Sequence, residues 1–152
     1  MTHSKTLTVR AHSGAALRIQ GTGLNMEGLR RALGREPTHA HRKGEPAPLK
    51  QAYELDMWLL DSPLERIDPL QAHLIWLYEA LTPCQDFLRT IRGKSKIDIY
   101  CYQTCYTEQA SITLSPKALT LFTELEIPLE VSLLFIPEET SEQEPTTETA
   151  CG

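Results

Sequence analysis

The stretch from Ile97 to Ile136 constrains the fold of this chain more than any other. Ile97, Ile99 and Cys101 alternate with Asp98, Tyr100 and Tyr102, and Ala110, Ile112 and Leu114 alternate with Ser111 and Thr113, the period of two half-buried strands. A turn is expected between them near Thr104. Ser115-Pro116 then offers a capping oxygen and a first-turn proline for a helix to Leu125, with Leu119, Phe122 and Leu125 as its apolar positions. The closing run Leu129-Glu130-Val131-Ser132-Leu133-Leu134-Phe135-Ile136 becomes apolar on both sides. Two apolar faces imply two covered faces, which predicts a central position in a sheet.

Capping chemistry divides the remainder. Asn25 caps a short helix ending at Gly34, with Leu24 and Leu29 at staple positions. Ser62-Pro63, Asp68-Pro69 and Thr82-Pro83 each place a side-chain oxygen before proline, with Glu65, Gln71 and Gln85 three residues after the cap to close a capping box. The first is only a turn, because Asp68 follows so soon. The others start helices at Pro69–Leu81, striped by Leu70, Leu74, Leu77 and Leu81, and at Pro83–Arg92. Leu7, Val9, Ala11, Leu17 and Ile19 alternate around Ser13-Gly14 as a tight hairpin or one bulged strand, and Tyr53, Leu55, Met57 and Leu59 alternate against Glu54 and Asp56. The order is β-α-β-α-α-β-β-α-β. It describes an α+β fold, a mostly antiparallel sheet of about five strands with helices packed chiefly on one face.

With 152 residues, 41% of them hydrophobic, the chain supports one real core but not two. The expected organisation is a single domain over 1–137 and a disordered acidic tail over 138–152. That tail holds five glutamates and no basic residue; it accounts for the whole net charge of −5 and leaves fifteen charges of each sign before it. A neutral domain makes nucleic acid an unfavoured partner. No apolar run reaches the roughly 18 residues of a membrane span. No secretory h-region opens the sequence, and the four cysteines show no disulfide framework. The expected location is the cytoplasm.

Leu33-Gly34-Arg35-Glu36-Pro37-Thr38, followed by Arg42-Lys43-Gly44-Glu45-Pro46, resembles the LGxEPT…KGxP stretch of a bacterial family catalogued as a domain of unknown function. The similarity continues through His73-Leu74-Ile75-Trp76-Leu77 and the closing strand–Ser-Pro–helix–strand, covering roughly residues 7–136. The chain departs from that pattern in its second strand, where Met57-Trp58 shifts the expected tryptophan. The resemblance implies a small single-domain α+β protein. It extends loosely to immunity-type proteins encoded beside bacterial toxins.

Candidate chemistry concentrates in two places. From Arg30 to Lys50 there are six Lys or Arg against two Glu. There Glu36, His39, His41, Arg42 and Lys43 could hold an anionic ligand or an acidic partner; the plainer alternative is a solvated connection shaped by its prolines. His39-x-His41 sets two imidazoles on one side of an extended segment, which suits a metal but leaves the ligand set incomplete. The second place is the expected hairpin, where Tyr102 and Tyr106, with Tyr100, offer apolar area with polar handles suited to protein contact. Cys101 reads as a small buried hydrophobe. A nucleophile built from Cys105 and His73 lacks any activating neighbour, and His73 itself reads as a partly buried residue with a satisfied nitrogen. Gly21-Thr22-Gly23 lacks the remainder of a phosphate loop. No cofactor, metal site or catalytic set is therefore assigned. The expected function is a non-catalytic protein-binding module of immunity type with an unknown protein partner. The alternatives are a small enzyme or metal-binding protein using His39 and His41, or a nucleic-acid binder using the basic 30–50 segment.

Overall fold

The computed structural model describes residues 10–49 and 51–136. The expected acidic tail, and Leu7 and Val9 of the expected first strand, lie outside them. Nine elements follow in order: β1 (Ala11–Gly21), α1 (Met26–Leu33), β2 (His39–His41), β3 (Asp56–Asp61), α2 (Leu70–Leu81), α3 (Gln85–Ile91, after a 3-10 turn at Thr82–Cys84), β4 (Lys96–Cys105), α4 (Pro116–Leu125) and β5 (Val131–Phe135). The five strands form one open sheet in the order β2-β3-β1-β4-β5, antiparallel except where β5 runs parallel to β4. The protein is α+β, as the patterning predicts. Among the described residues no helix is long and apolar enough to cross a membrane.

β1 is the centre of the sheet. It pairs with β4 without interruption from Ala11↔Cys105 to Gln20↔Lys96, so Ser13-Gly14 is neither hairpin nor bulge. β3 accompanies it only from Ala16 to Gly21. Beyond that point the chain after β3 takes over, with Ser62 N–H donating to Ala15 O and Ser13 N–H to Arg66 O. Odd-numbered residues of β1 and β4 (Ala15, Leu17, Ile19, Ile97, Ile99, Cys101) join Trp58 and Leu60 of β3 against Leu70, Leu74, Leu77 and Leu81 of α2 and Leu121 and Leu125 of α4 in one core. The helices therefore cover one face of the sheet.

Four further expectations about the strands fail, each for an identifiable reason. β5 is an edge strand, not a central one, and Leu133, Leu134, Phe135 and Ile136 are all about half exposed. Ala110–Leu114 forms no strand. Ile112 and Leu114 still pack against the core, so their alternation reports burial without pairing. The fifth strand is instead β2, inside the segment expected to be a loop. In β3 the buried phase is Asp56, Trp58 and Leu60, while Met57 and Leu59 face outward; a one-residue shift of phase moves every side chain to the other face.

Caps divide in the same way. Asn25 Oδ1 accepts from Gly28 N–H at 2.9 Å, Gly34 closes α1 in the left-handed conformation, and Ser115 Oγ accepts from Ala118 N–H. Asp68 and Thr82 do not cap. Asp68 accepts from Glu65 N–H, Gln71 accepts from Ser115 N–H, and Thr82 donates back to Tyr78 O. Helices still open beside both sites, at Leu70 and through the 3-10 turn from Thr82 into Gln85, but without these side chains as caps.

Candidate functional site

The sheet face opposite the helices brings together residues from all five strands. Strand pairing fixes its membership: His39 and His41 oppose Leu59 and Met57, Leu59 and Met57 oppose Arg18 and Gln20, Arg18 and Gly14 oppose Asp98 and Tyr102, and Tyr102 and Thr104 oppose Ser132 and Leu134. Both regions that the sequence marks, the histidine segment and the tyrosines, thus border one surface.

At its centre Arg18 Nε and Nη2 donate to Asp98 Oδ1 and Oδ2 at 2.9 and 2.7 Å, a two-pronged, partly buried pair. Asp98 holds the guanidinium pKa above its usual value, chiefly through that hydrogen bond. The guanidinium lies 5.3 Å from the Tyr100 ring centroid, within cation–π range. Tyr100 neighbours Tyr102 with centroids 6.2 Å apart. Tyr102 crosses Gly14, where a Cβ would stand 2.4 Å from the ring. At the end of β1, His12 Nδ1 and Tyr106 Oη are 2.8 Å apart, with the rings edge to face. The sequence reading missed His12, Arg18 and Asp98, although Arg18 and Asp98 each sit at an outward position of an alternating strand, a pattern that would have found them.

The basic segment does not act as one unit. Glu36 is ion-paired to Arg30 at 2.8 Å, and Arg30 also meets Glu27, a solvent-exposed network along α1. His39 and His41 do share a side, with Nε2 and Nδ1 3.2 Å apart. His41 stacks on Tyr53 with centroids 3.5 Å apart and planes 9° from parallel. Burial, then the neighbouring His39, push the His41 pKa below its usual value. The Arg42 side chain stays about half exposed while it anchors inward: Nη1 donates to Leu24 O at 2.6 Å and reaches Asp56 Oδ2 at 3.3 Å. The buried Asp56 carboxylate also accepts from the N–H groups of Lys43 at 2.7 Å and Leu24 at 2.8 Å. Those backbone donors lower its pKa. Asp56 thus ties the turn before α1, the loop after β2 and the start of β3 together. Lys43 supplies only its N–H there. The Gly21-Thr22-Gly23 turn serves the same clasp, and its helix end is occupied by the Asn25 side chain.

The cysteine and histidine candidates disperse. β4 runs on through Thr104 with no turn, so Cys101 and Cys105 both face the covered side and are buried. Burial pushes the Cys101 thiol up to about 12, which removes thiolate character. Gln103 Nε2 contacts Cys105 Sγ, while His73 Nδ1 lies 2.9 Å from Ser62 Oγ. Each therefore has another partner. His73 is almost fully buried, and burial depresses its pKa. The expected satisfied nitrogen is Nδ1, while Nε2 has no hydrogen-bond partner among the described residues. No cluster of three or more metal-ligating side chains occurs among the described residues.

The open face can therefore offer aromatic rings, a fixed Arg–Asp pair and imidazole–phenol hydrogen bonding to a surface laid across it. No curated protein and no solved structure matches the chain. Residues 10–135, which hold every described strand and helix of the fold, match the family described as "Domain of unknown function (DUF4279)", and the chain belongs to that family.

Proposed function

We propose that this domain is a non-catalytic protein-binding module that receives its partner on the open sheet face. The observation that carries the reading is the row Arg18–Tyr100–Tyr102, flanked by the His12–Tyr106 pair. Tyr and Arg are the residue types that concentrate binding energy at protein interfaces. Here the guanidinium is pre-positioned by Asp98, and Tyr102 is seated over Gly14, so little side-chain freedom remains to be lost on docking. His39 extends the surface at one edge, with the buried His41 packed behind it. Tyr106 extends it at the sheet end. The concrete form of the proposal is an immunity-type inhibitor in the bacterial cytoplasm, a small domain that blocks another protein by covering it.

The test is affinity capture from lysate with the wild-type domain, a Tyr100→Ala/Tyr102→Ala variant and a Lys43→Ala variant, quantified by mass spectrometry. A partner retained by wild type and Lys43→Ala and lost tenfold or more, about 1.4 kcal/mol, by the double variant supports the reading. Equal recovery by all three overturns it. Loss of the signal on nuclease treatment assigns the face to nucleic acid instead.

A further inference from the structure

We infer that β5 is the seam of a homodimer, pairing edge to edge with β5 of a second copy. Three observations converge on this strand. Its outer edge pairs with nothing among the described residues, because the sheet order ends there. It is apolar on both faces: Val131, Leu133 and Phe135 lie on the helix side and Leu134 on the open side, with Leu133 53%, Leu134 55% and Phe135 51% exposed. It also lacks the usual guards of a free edge, since Val131–Phe135 contains no proline, no charge and no bulge in its register with β4. The opposite edge is managed differently. β2 is only three residues long and carries His39 and His41.

The sequence of β5 is complementary to itself. An antiparallel twofold centred on Leu133 sets Leu133 against its own copy, Leu134 against Ser132, Phe135 against Val131 and Ile136 against Glu130. No like charges meet, and within Val131–Phe135 each apolar side chain finds an apolar or small neighbour; only Ile136, at the end of the pairing, faces a charged residue, Glu130. That pairing satisfies the free backbone groups and covers the edge that the pattern of the strand implies is covered. With Leu129 and Ile136 added, five large side chains, each roughly 40–55% exposed, leave on the order of 400 Å² of apolar surface per copy. Full coverage would bury at most about 800 Å² of it in two copies, below the roughly 1,000 Å² that a stable specific interface clears, so the dimer is a weak one that leans on the backbone ladder. At about 400 Å² the patch matches the largest patch of a typical monomer, about 300–600 Å² and often functional. The helix layers of both copies stay on one side, and the open faces become continuous across the seam.

Analytical ultracentrifugation of the full chain tests the pairing. Wild type sediments as a monomer–dimer equilibrium in the micromolar range. Leu133→Lys, which sets two ammonium groups against each other at the twofold, sediments as a monomer with unchanged far-ultraviolet circular dichroism. Should that variant fail to fold, Leu133→Cys supplies a second reading. Directly opposed strand residues lie at Cα separations that a disulfide spans, so mild oxidation gives a reducible covalent dimer from Leu133→Cys and none from Glu130→Cys. A wild-type chain that stays monomeric throughout, or a Leu133→Lys dimer as strong as wild type, overturns the proposal. So does a dimer that forms only after residues 138–152 are removed, because the edge would then belong to the chain's own tail.

Discussion

The Tyr102 ring occupies the space in which a Cβ on Gly14 would stand. A Cβ there would fall 2.4 Å from Cε1 and 2.7 Å from both Cζ and Oη. Glycine is costly inside a strand, and here it is the central strand that carries one. The glycine serves a side chain on the neighbouring strand, because only a missing Cβ lets Tyr102 lie across β1. Gly14→Ala therefore destabilises the domain by about 1–3 kcal/mol in urea denaturation, the usual range for overpacking. In a Tyr102→Ala background the same change costs less than about 0.5 kcal/mol, because the two residues act as one contact. Equal costs in both backgrounds would separate them.

The Asp56 clasp gives a graded series. Asp56→Ala leaves the N–H groups of Leu24 and Lys43 without their acceptor and costs about 3 kcal/mol, at roughly 1–3 kcal/mol for each buried orphan. Arg42→Ala removes the donor to Leu24 O and costs about 1 kcal/mol. Lys43→Ala stays within about 0.5 kcal/mol, since its contribution comes from the main chain. Thermal or chemical denaturation ranks the three. An Arg42→Ala protein as stable as wild type would return Arg42 to the role of a free docking charge.

Local chemistry was legible in the sequence, and long-range placement was not. The Asn25 and Ser115 caps are fixed by residues within one turn, so the sequence alone identifies them. Asp68 and Thr82 carry the same signal but find better partners in Glu65 N–H and Tyr78 O, a competition that only the folded loop decides. In β3 both phases are apolar after Asp56, and what selects Trp58 and Leu60 for the core is the distant set of donors around the Asp56 carboxylate. β5 misleads for a further reason. A strand apolar on both faces reads the same whether helices or a second copy covers it. The proposed site was legible only as residue types, the tyrosines and the paired histidines, while the open face that they border depends on strand order.

The stripe on α2 allows a direct check of the core. Leu77 is fully buried in the core that α2 shares with the sheet and α4. Leu77→Ala costs about 2–5 kcal/mol by lost transfer energy and residual cavity. A loss under about 1 kcal/mol in urea would place that side of the helix outside the core.

Stability also depends on pH through histidines held neutral. Burial depresses the His73 pKa, and the nearby Asp68 charge with the carbonyls of Asp68 and Glu65 offsets this only in part. His41 shifts the same way, by burial and then by His39. The unfolded chain protonates these rings first, near the ordinary value of about 6.5, so it binds more protons than the folded state just below that pH. The contribution is fully present above about pH 6.5 and is lost as pH falls from there through the folded pKa values. Asp56 follows the carboxylate rule in a separate window. Its lowered pKa keeps its contribution intact until about pH 4, and the loss comes below that. The melting temperature should therefore fall between about pH 7 and pH 5, well before carboxylates titrate. His73→Asn keeps a polar atom near the position of Nδ1 for Ser62 and removes the titrating ring, so its melting temperature should fall less steeply over the same span. A wild-type profile that is flat there, or a His73→Asn slope equal to it, would mean that the buried ring does not control acid stability.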